Sequence, residues 1–364
     1  MRREKRRFIN KEEARILILM KAVWKTKPQV GLEIKEAQMP KIGDDEVLVK
    51  VKATSICGTD LHIYNWDQWA QKRIGKNIPY IFGHEMSGEV VELGKGVKGL
   101  AEGDHVSAET HISCGHCFQC KTGNEHICEN VKILGVDTNG TFAEYVKLPA
   151  RNAWKNSKKI PHWVATAQEP LGNAVHTVFD GEIAGKTVTI FGMGPIGICA
   201  VGLCKVAGAE KIIAVDRHKQ RLKFAKEFGA DVIVNTEEEK DAKKTIMDET
   251  EGKGADVFLE MAGSPDAFNM GLDTLRAGGR ASILGVFSKP FEIDVTTNIV
   301  FKGIKLNGIN GRKMFDTWYK TSSFVNSGKI KLEKLVTHKF KLSEIEKGFE
   351  ILNKREGMKV VIEP

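Results

Sequence analysis

The stretch TVTIFGMGPIGICAVGLCKVAGA places Gly192, Gly194 and Gly197 in G-x-G-x-x-G spacing, directly after an apolar run and directly before a helical one. A glycine triplet alone says little, but between a strand and a helix it constrains the fold to a βαβ unit that cradles a dinucleotide. The first glycine permits the tight turn, the second lets the backbone approach a pyrophosphate, and the third lets helix and strand pack closely. The helix N-terminus then faces the phosphates. The next apolar run, KIIAVD, ends in Asp216. An acid there accepts hydrogen bonds from the adenosine ribose hydroxyls and repels a 2′-phosphate, so NAD rather than NADP is expected. Arg217 and Arg221 pull the other way, because guanidinium groups accept such a phosphate.

The runs TVTIF, KIIAVD, DVIVN, DVFLEMAG and RASILGV alternate with helical stretches from about residue 173, the rhythm of a doubly wound parallel sheet. Upstream the texture differs. EVLVKVKATSIC sets Val47, Val49, Val51 and Ala53 on one face and Lys50 and Lys52 on the other, as in a half-buried strand. Glycines punctuate GEVVELGKGVKGLAEGDHV into short strands and turns, so this half reads as a small β-rich domain. Near residue 311 the βαβ rhythm stops; GRKMFDTWYKTSSFVNSGKI reads as a helix, and the tail ends in a strand, KVVIEP, expected to return to the first domain. The expected division is 20–172 with 311–364 for the β-rich domain and 173–310 for the nucleotide domain. Residues 1–19 read as an extension with no assigned function.

The formal charge of +8 does not mark a nucleic-acid binder. The first nineteen residues carry seven Lys or Arg against three Glu, a surplus of four, and the remaining charges alternate in sign without interleaved aromatics. No apolar run approaches the ~18 residues of a membrane span, and ILILM is too short for a signal-peptide core. Seven cysteines, four of them clustered, favour metal binding by reduced thiols over disulfides, and hence a cytoplasmic location.

Cys114, Cys117, Cys120 and Cys128 form C-x2-C-x2-C-x7-C, a pattern that closes a shell of four thiolates around zinc. Such a shell has no open position, so it braces a lobe and leaves His111, His116 and His126 as bystanders. A catalytic zinc needs about three protein ligands and a vacancy, which turns attention to Cys57 in SICGTDLH and to His84 with Glu85 in GHEMSGEV.

In their order along the chain, ICGTDLH, GHEMSGEVVELG, the four-cysteine lobe and GMGPIG resemble the zinc-containing medium-chain alcohol dehydrogenases over residues 20–364. HIYNWDQWAQ, VSAETHISCGHC, KILGVDTNGTFAEY, QEPLGNAVHTV and GINGRKMFDTWY are similar more narrowly to the threonine-oxidising branch of that superfamily. The resemblance implies a GroES-like catalytic domain beside a Rossmann domain, two zinc ions per chain, one catalytic and one structural, and a homotetramer. It implies Cys57, His84 and Glu85 as ligands of the catalytic zinc. Thr59 and His62 would relay the substrate proton to solvent, and Glu169 would assist the relay or alternately ligate the metal. For NAD it implies Ile196 in the glycine loop, Asp216 and Arg221 at the adenosine, Leu284, Gly285 and Val286 after the fifth strand, and Ile309 with Asn310 beside the nicotinamide. The expected reaction is NAD-dependent oxidation of L-threonine at its 3-hydroxyl, through a zinc-acidified alcohol and hydride transfer. A related polyol or secondary-alcohol dehydrogenase, of the sorbitol or butanediol type, is the alternative. A non-catalytic relative is disfavoured because Cys57 and His84 are both present.

Overall fold

The computed structural model describes residues 18–364, so the extension lies outside the described residues except for its last two positions. Leu19 already belongs to a strand, Leu19–Lys25, which pairs antiparallel with Glu33–Gln38 and with Tyr80–Ile81. The β-rich half is built on a seven-stranded sheet. Along it run Ala153–Lys155, His105–Ala108, Glu85–Leu93, Glu46–Ile56, Lys359–Glu363 and Val336–Lys341, with Tyr145–Pro149 also on Glu46–Ile56.

Glu46–Ile56 departs from simple alternation. Lys50 is exposed as expected, but Leu48 is buried, and Ala53, Thr54, Ser55 and Ile56 are buried in succession. The cause is position: this half of the strand has Glu85–Leu93 on one side and the C-terminal strand Lys359–Glu363 on the other, in the registers Ser55↔Glu85 and Val361↔Ser55. A central strand covered on both faces loses the period-two signature. The helix Ile345–Asn353 is pinned over it by Phe349, whose ring meets those of Tyr64, Phe82 and Phe142 at 4.5, 6.0 and 6.3 Å. A buried phenylalanine contributes about 3–5 kcal/mol by truncation, enough to fix the segment that follows.

The other half is a six-stranded sheet in which every pairing is parallel, ordered Val232–Asn235, Lys211–Asp216, Thr187–Phe191, Ala255–Glu260, Leu275–Ile283 and Lys305–Gly308. The first five are the apolar runs read from sequence. The sixth, KLNG, escaped that reading because it is an edge strand with little burial and no apolar run. The order is that of a Rossmann fold, and the direction of winding reverses between Thr187–Phe191 and Ala255–Glu260, which opens a crevice at the carboxyl ends of those strands. Gly192 turns the chain there at φ 94°, a backbone state that glycine adopts without penalty. A Cβ on Gly197 would strike the carbonyl oxygen of Gly192, so the helix Pro195–Val206 sits this close only because position 197 is glycine.

Candidate active site

Cys57 ends the strand Glu46–Ile56 and caps the helix Gly58–Asn65, whereas His84 and Glu85 open the neighbouring strand. The antiparallel register Ser55↔Glu85 closes the sequence gap between them. One ligand atom from each of Cys57, His84 and Glu85 lies within 4.8 Å of the others. Thiolate, imidazole and carboxylate are the donor set of zinc. Asp60, one turn into the helix, accepts the Cys57 N–H at 2.9 Å and stands 3.6 Å from Nδ1 of His84. Neither Oδ1 of Asp60 nor Nδ1 of His84 has a hydrogen-bond partner although both are buried, which marks a pair of polar groups arranged around something further. Burial works against an imidazolium at His84, but Asp60 and Cys57 outweigh it and raise its pKa well above the usual range.

Glu85 is fully buried and its carboxylate receives Nζ of Lys359 at 2.8 and 2.7 Å, together with the hydroxyl of Ser55. Burial works against the Lys359 ammonium, but the Glu85 carboxylate outweighs it and raises the Lys359 pKa. Two short contacts and a third donor favour the ionised pair. Glu169, in the first turn of the helix Gln168–Val178, is likewise held, by Nη1 of Arg312.

Arg312 is the hub of a network the sequence reading did not include. Its Nε and Nη2 reach the two oxygens of Glu109 at 3.0 and 2.8 Å, and Nη2 also donates to Thr110 at 2.5 Å. Glu109 accepts from Trp318 Nε1, from the His111 N–H and from the His111 ring at 2.6, 2.7 and 2.6 Å. Burial would raise the Glu109 carboxyl, but the Arg312 charge and the His111 and Arg312 hydrogen bonds hold it well below the usual carboxylate range. His111 is therefore a member of this network. The signal available in sequence was ETHISC itself: a carboxylate two residues before a histidine, with an arginine in the similarly distinctive GINGRKMF. Lys359 could have been found as the one charge in the buried run KVVI of the last strand.

Thr59 and His62 sit one turn apart on the helix Gly58–Asn65, with no direct hydrogen bond between them. The His62 side chain is 55% exposed and its Nδ1 is bonded to Asp67. In the second metal-ligand cluster the sulfurs of Cys114, Cys117, Cys120 and Cys128 come within 4.8 Å of one another, with separations of 4.0, 3.4 and 3.8 Å among them. A tetrahedron of zinc–sulfur bonds of about 2.3 Å has edges of about 3.8 Å. The N–H groups of Cys114 and Asn130 both point at the Cys128 sulfur at 3.3 Å, a thiolate's environment. Hydrogen bonds led by that from the His116 N–H bring the Cys114 thiol down to about 6. His116 and His126 contribute no atom to this cluster.

Gly192, Gly194, Asp216 and Arg221 line one cavity of about 510 Å³ in the crevice. A Cβ on Gly194 would meet nothing within 4 Å, so the backbone there faces open space of the kind a pyrophosphate fills. Asp216 accepts the N–H of Met193 and of His218, both at 2.7 Å. Ile196 and Gly197 lie in the helix behind the loop, outside the cavity lining. Leu284, Gly285 and Val286 follow the fifth strand of the sheet, and Ile309 and Asn310 follow its edge strand, also outside that lining. Glu260 organises this side: one carboxylate oxygen accepts the N–H groups of Ala262 and Gly263 at 2.8 and 2.7 Å, the other that of Gly285 at 3.1 Å. Ile309 is buried and bonded to Ile283, whereas Asn310 is exposed.

Two families of sequence match this arrangement. Residues 43–161 match an alcohol dehydrogenase GroES-like domain and residues 195–327 a zinc-binding dehydrogenase. The chain belongs to the zinc-containing medium-chain alcohol dehydrogenases. Within them it is 50% identical to the L-threonine 3-dehydrogenase of Bacillus licheniformis over 345 residues, 95% of this chain and 99% of that protein. It is 50% identical to the L-threonine 3-dehydrogenase of Pyrococcus furiosus over 343 residues, 94% of this chain and 98% of that one. The crystal structure of 2R,3R-butanediol dehydrogenase from Bacillus subtilis superposes with a TM-score of 0.85 at 31% identity, covering 95% of this chain and 99% of that one.

Proposed function

We propose that the protein is an NAD- and zinc-dependent oxidoreductase that converts L-threonine to L-2-amino-3-oxobutanoate. The observation that carries this reading is 50% identity to two L-threonine 3-dehydrogenases across nearly the whole chain, against 31% to the butanediol enzyme. The functional units are taken as 20–172 with 311–364, and 173–310.

In this reading Cys57, His84 and Glu85 hold one zinc, and Cys114, Cys117, Cys120 and Cys128 hold another that braces their lobe. Bound there, the catalytic zinc supplies Lewis acidity to the substrate hydroxyl, and NAD supplies the hydride acceptor. Lys359 pairs with Glu85, and Arg312 holds the Glu169 carboxylate in place beside the site. The Thr59 hydroxyl takes the substrate proton and gives up its own, which reaches His62 through bridging water because the two side chains share no direct hydrogen bond. Because Nδ1 of His62 is committed to Asp67, Nε2 is the basic atom, and its exposed ring delivers the proton to water. Asp60 aligns His84, the role an outer carboxylate plays for a metal-binding imidazole. Asp60→Asn is expected to weaken retention of one zinc roughly 10–100-fold in competition with a chelator, leaving the four-cysteine zinc in place.

A homotetramer is supported by the edge of the parallel sheet. Val295, Val300, Phe301 and Leu306 are 52, 63, 78 and 41% exposed beside the edge strand Lys305–Gly308, an apolar margin of the kind subunits cover. A cytoplasmic location fits the unpaired state of all seven cysteines. Among the described residues no helix is long and apolar enough to cross a membrane. Steady-state NADH formation on L-threonine, sorbitol and 2,3-butanediol tests the assignment. The expected result is a kcat/KM for threonine at least tenfold above the others; turnover of a polyol or diol alone would overturn it.

A further inference from the structure

The cavity that takes the nucleotide is lined by residues of the parallel-sheet half with one exception, Arg355. This arginine follows the helix Ile345–Asn353 of the other half, the helix anchored by Phe349. Its backbone has φ 60°, a left-handed state uncommon for residues other than glycine. Nη1 of Arg355 lies 2.6 Å from Nε2 of His218, and Nε of Arg217 approaches the same nitrogen at 3.2 Å. Arg221 lines the same cavity, and its Nε is buried without a hydrogen-bond partner. Three guanidinium groups therefore converge in a cavity with two carboxylates, Asp216 and Asp266; neither is ion-paired to them, and both oxygens of Asp216 already accept backbone N–H groups. Like charges gathered this way, with a buried donor left over, call for an acceptor-rich ligand from outside the chain.

We infer that Arg355 is a cofactor-binding residue that reaches across from the catalytic half and closes the adenosine end of the nucleotide. The inference rests on the reading of this cavity as the NAD site. Oxygen atoms of the adenosine ribose and its phosphate are the acceptors in reach of such a cluster. The arrangement also explains why an unfavourable backbone state is tolerated at 355: at that position the side chain bridges the two halves of the molecule.

The test is titration of the zinc-loaded protein with NADH, followed by nucleotide fluorescence, and with ADP-ribose, followed by calorimetry. Arg355→Gly suits the local φ, so the nucleotide-free melting temperature is expected to hold or rise. Against that, the Kd for both ligands is expected to increase about tenfold, with partial recovery in Arg355→Lys. The difference from wild type is expected to shrink in about 1 M salt, where exposed charges are screened. Equal Kd values in wild type and Arg355→Gly, or weaker binding matched by a lower melting temperature, would overturn the inference alone. Failure of the wild type to bind NADH would overturn the cavity assignment as well.

Discussion

Cys57→Ser is expected to give a folded protein that carries one zinc per chain instead of two and turns threonine over roughly a thousandfold more slowly. Lewis-acid activation of a hydroxyl is worth several kcal/mol, and each ~1.4 kcal/mol is a factor of ten. The fold should survive because Cys57 is a half-buried helix cap whose N–H is tied to Asp60, and serine keeps both that N–H and a side-chain acceptor at the cap. The four-cysteine lobe shares no ligand with this site, so its metal should stay. Elemental analysis and circular dichroism check both halves of the claim. Loss of both metals, or of neither, would contradict the separation of a reactive from a bracing site.

The second large effect concerns stability. Arg312→Met removes the guanidinium that pairs with fully buried Glu109 and also releases Glu169, so it should destabilise the protein by roughly 3–5 kcal/mol. The penalty comes mainly from stranding a charge, and adding Glu109→Gln should therefore restore much of the loss. Urea unfolding of the single and double variants is the measurement; no recovery in the double would assign the loss to packing. The pH dependence has a definite sign. Glu109 has a folded pKa depressed below its usual 4.5, so its pairing stabilises the fold above about pH 4.5 and fades as acid takes the pH down toward the lowered value. The gap between wild type and the double variant should narrow in that acid window alone.

Much of the candidate site was legible because it lies in short contiguous words. Gly192, Gly194 and Asp216 could be placed from spacing between strand and helix, and the four cysteines from their own interval. What the sequence concealed are partnerships made by tertiary approach. Lys359 meets Glu85 from 274 residues away, and Arg312 meets Glu109 from 203. No local period reports such pairs, since a buried charge is defined by what surrounds it in space. The same holds for the edge strand KLNG, whose neighbour supplies the pairing that its own residues do not advertise. His111 stands outside the four-cysteine cluster, as the closed shell implied, but its partnership with Glu109 is made in space and no spacing reports it.

The insertion of Lys359–Glu363 beside Glu46–Ile56 has a consequence for how the molecule comes into being. During synthesis the nascent chain exposes Cys57, His84 and Glu85 early, yet Glu85 has no counter-charge and the strand next to Cys57 lacks its partner until residue 359 has left the ribosome. Burying this carboxylate before its ammonium arrives would cost several kcal/mol. The buried Glu85–Lys359 pair therefore cannot form until the intervening parallel-sheet segment has been made, and with it the pocket around Cys57 and His84 reaches its final form late in synthesis.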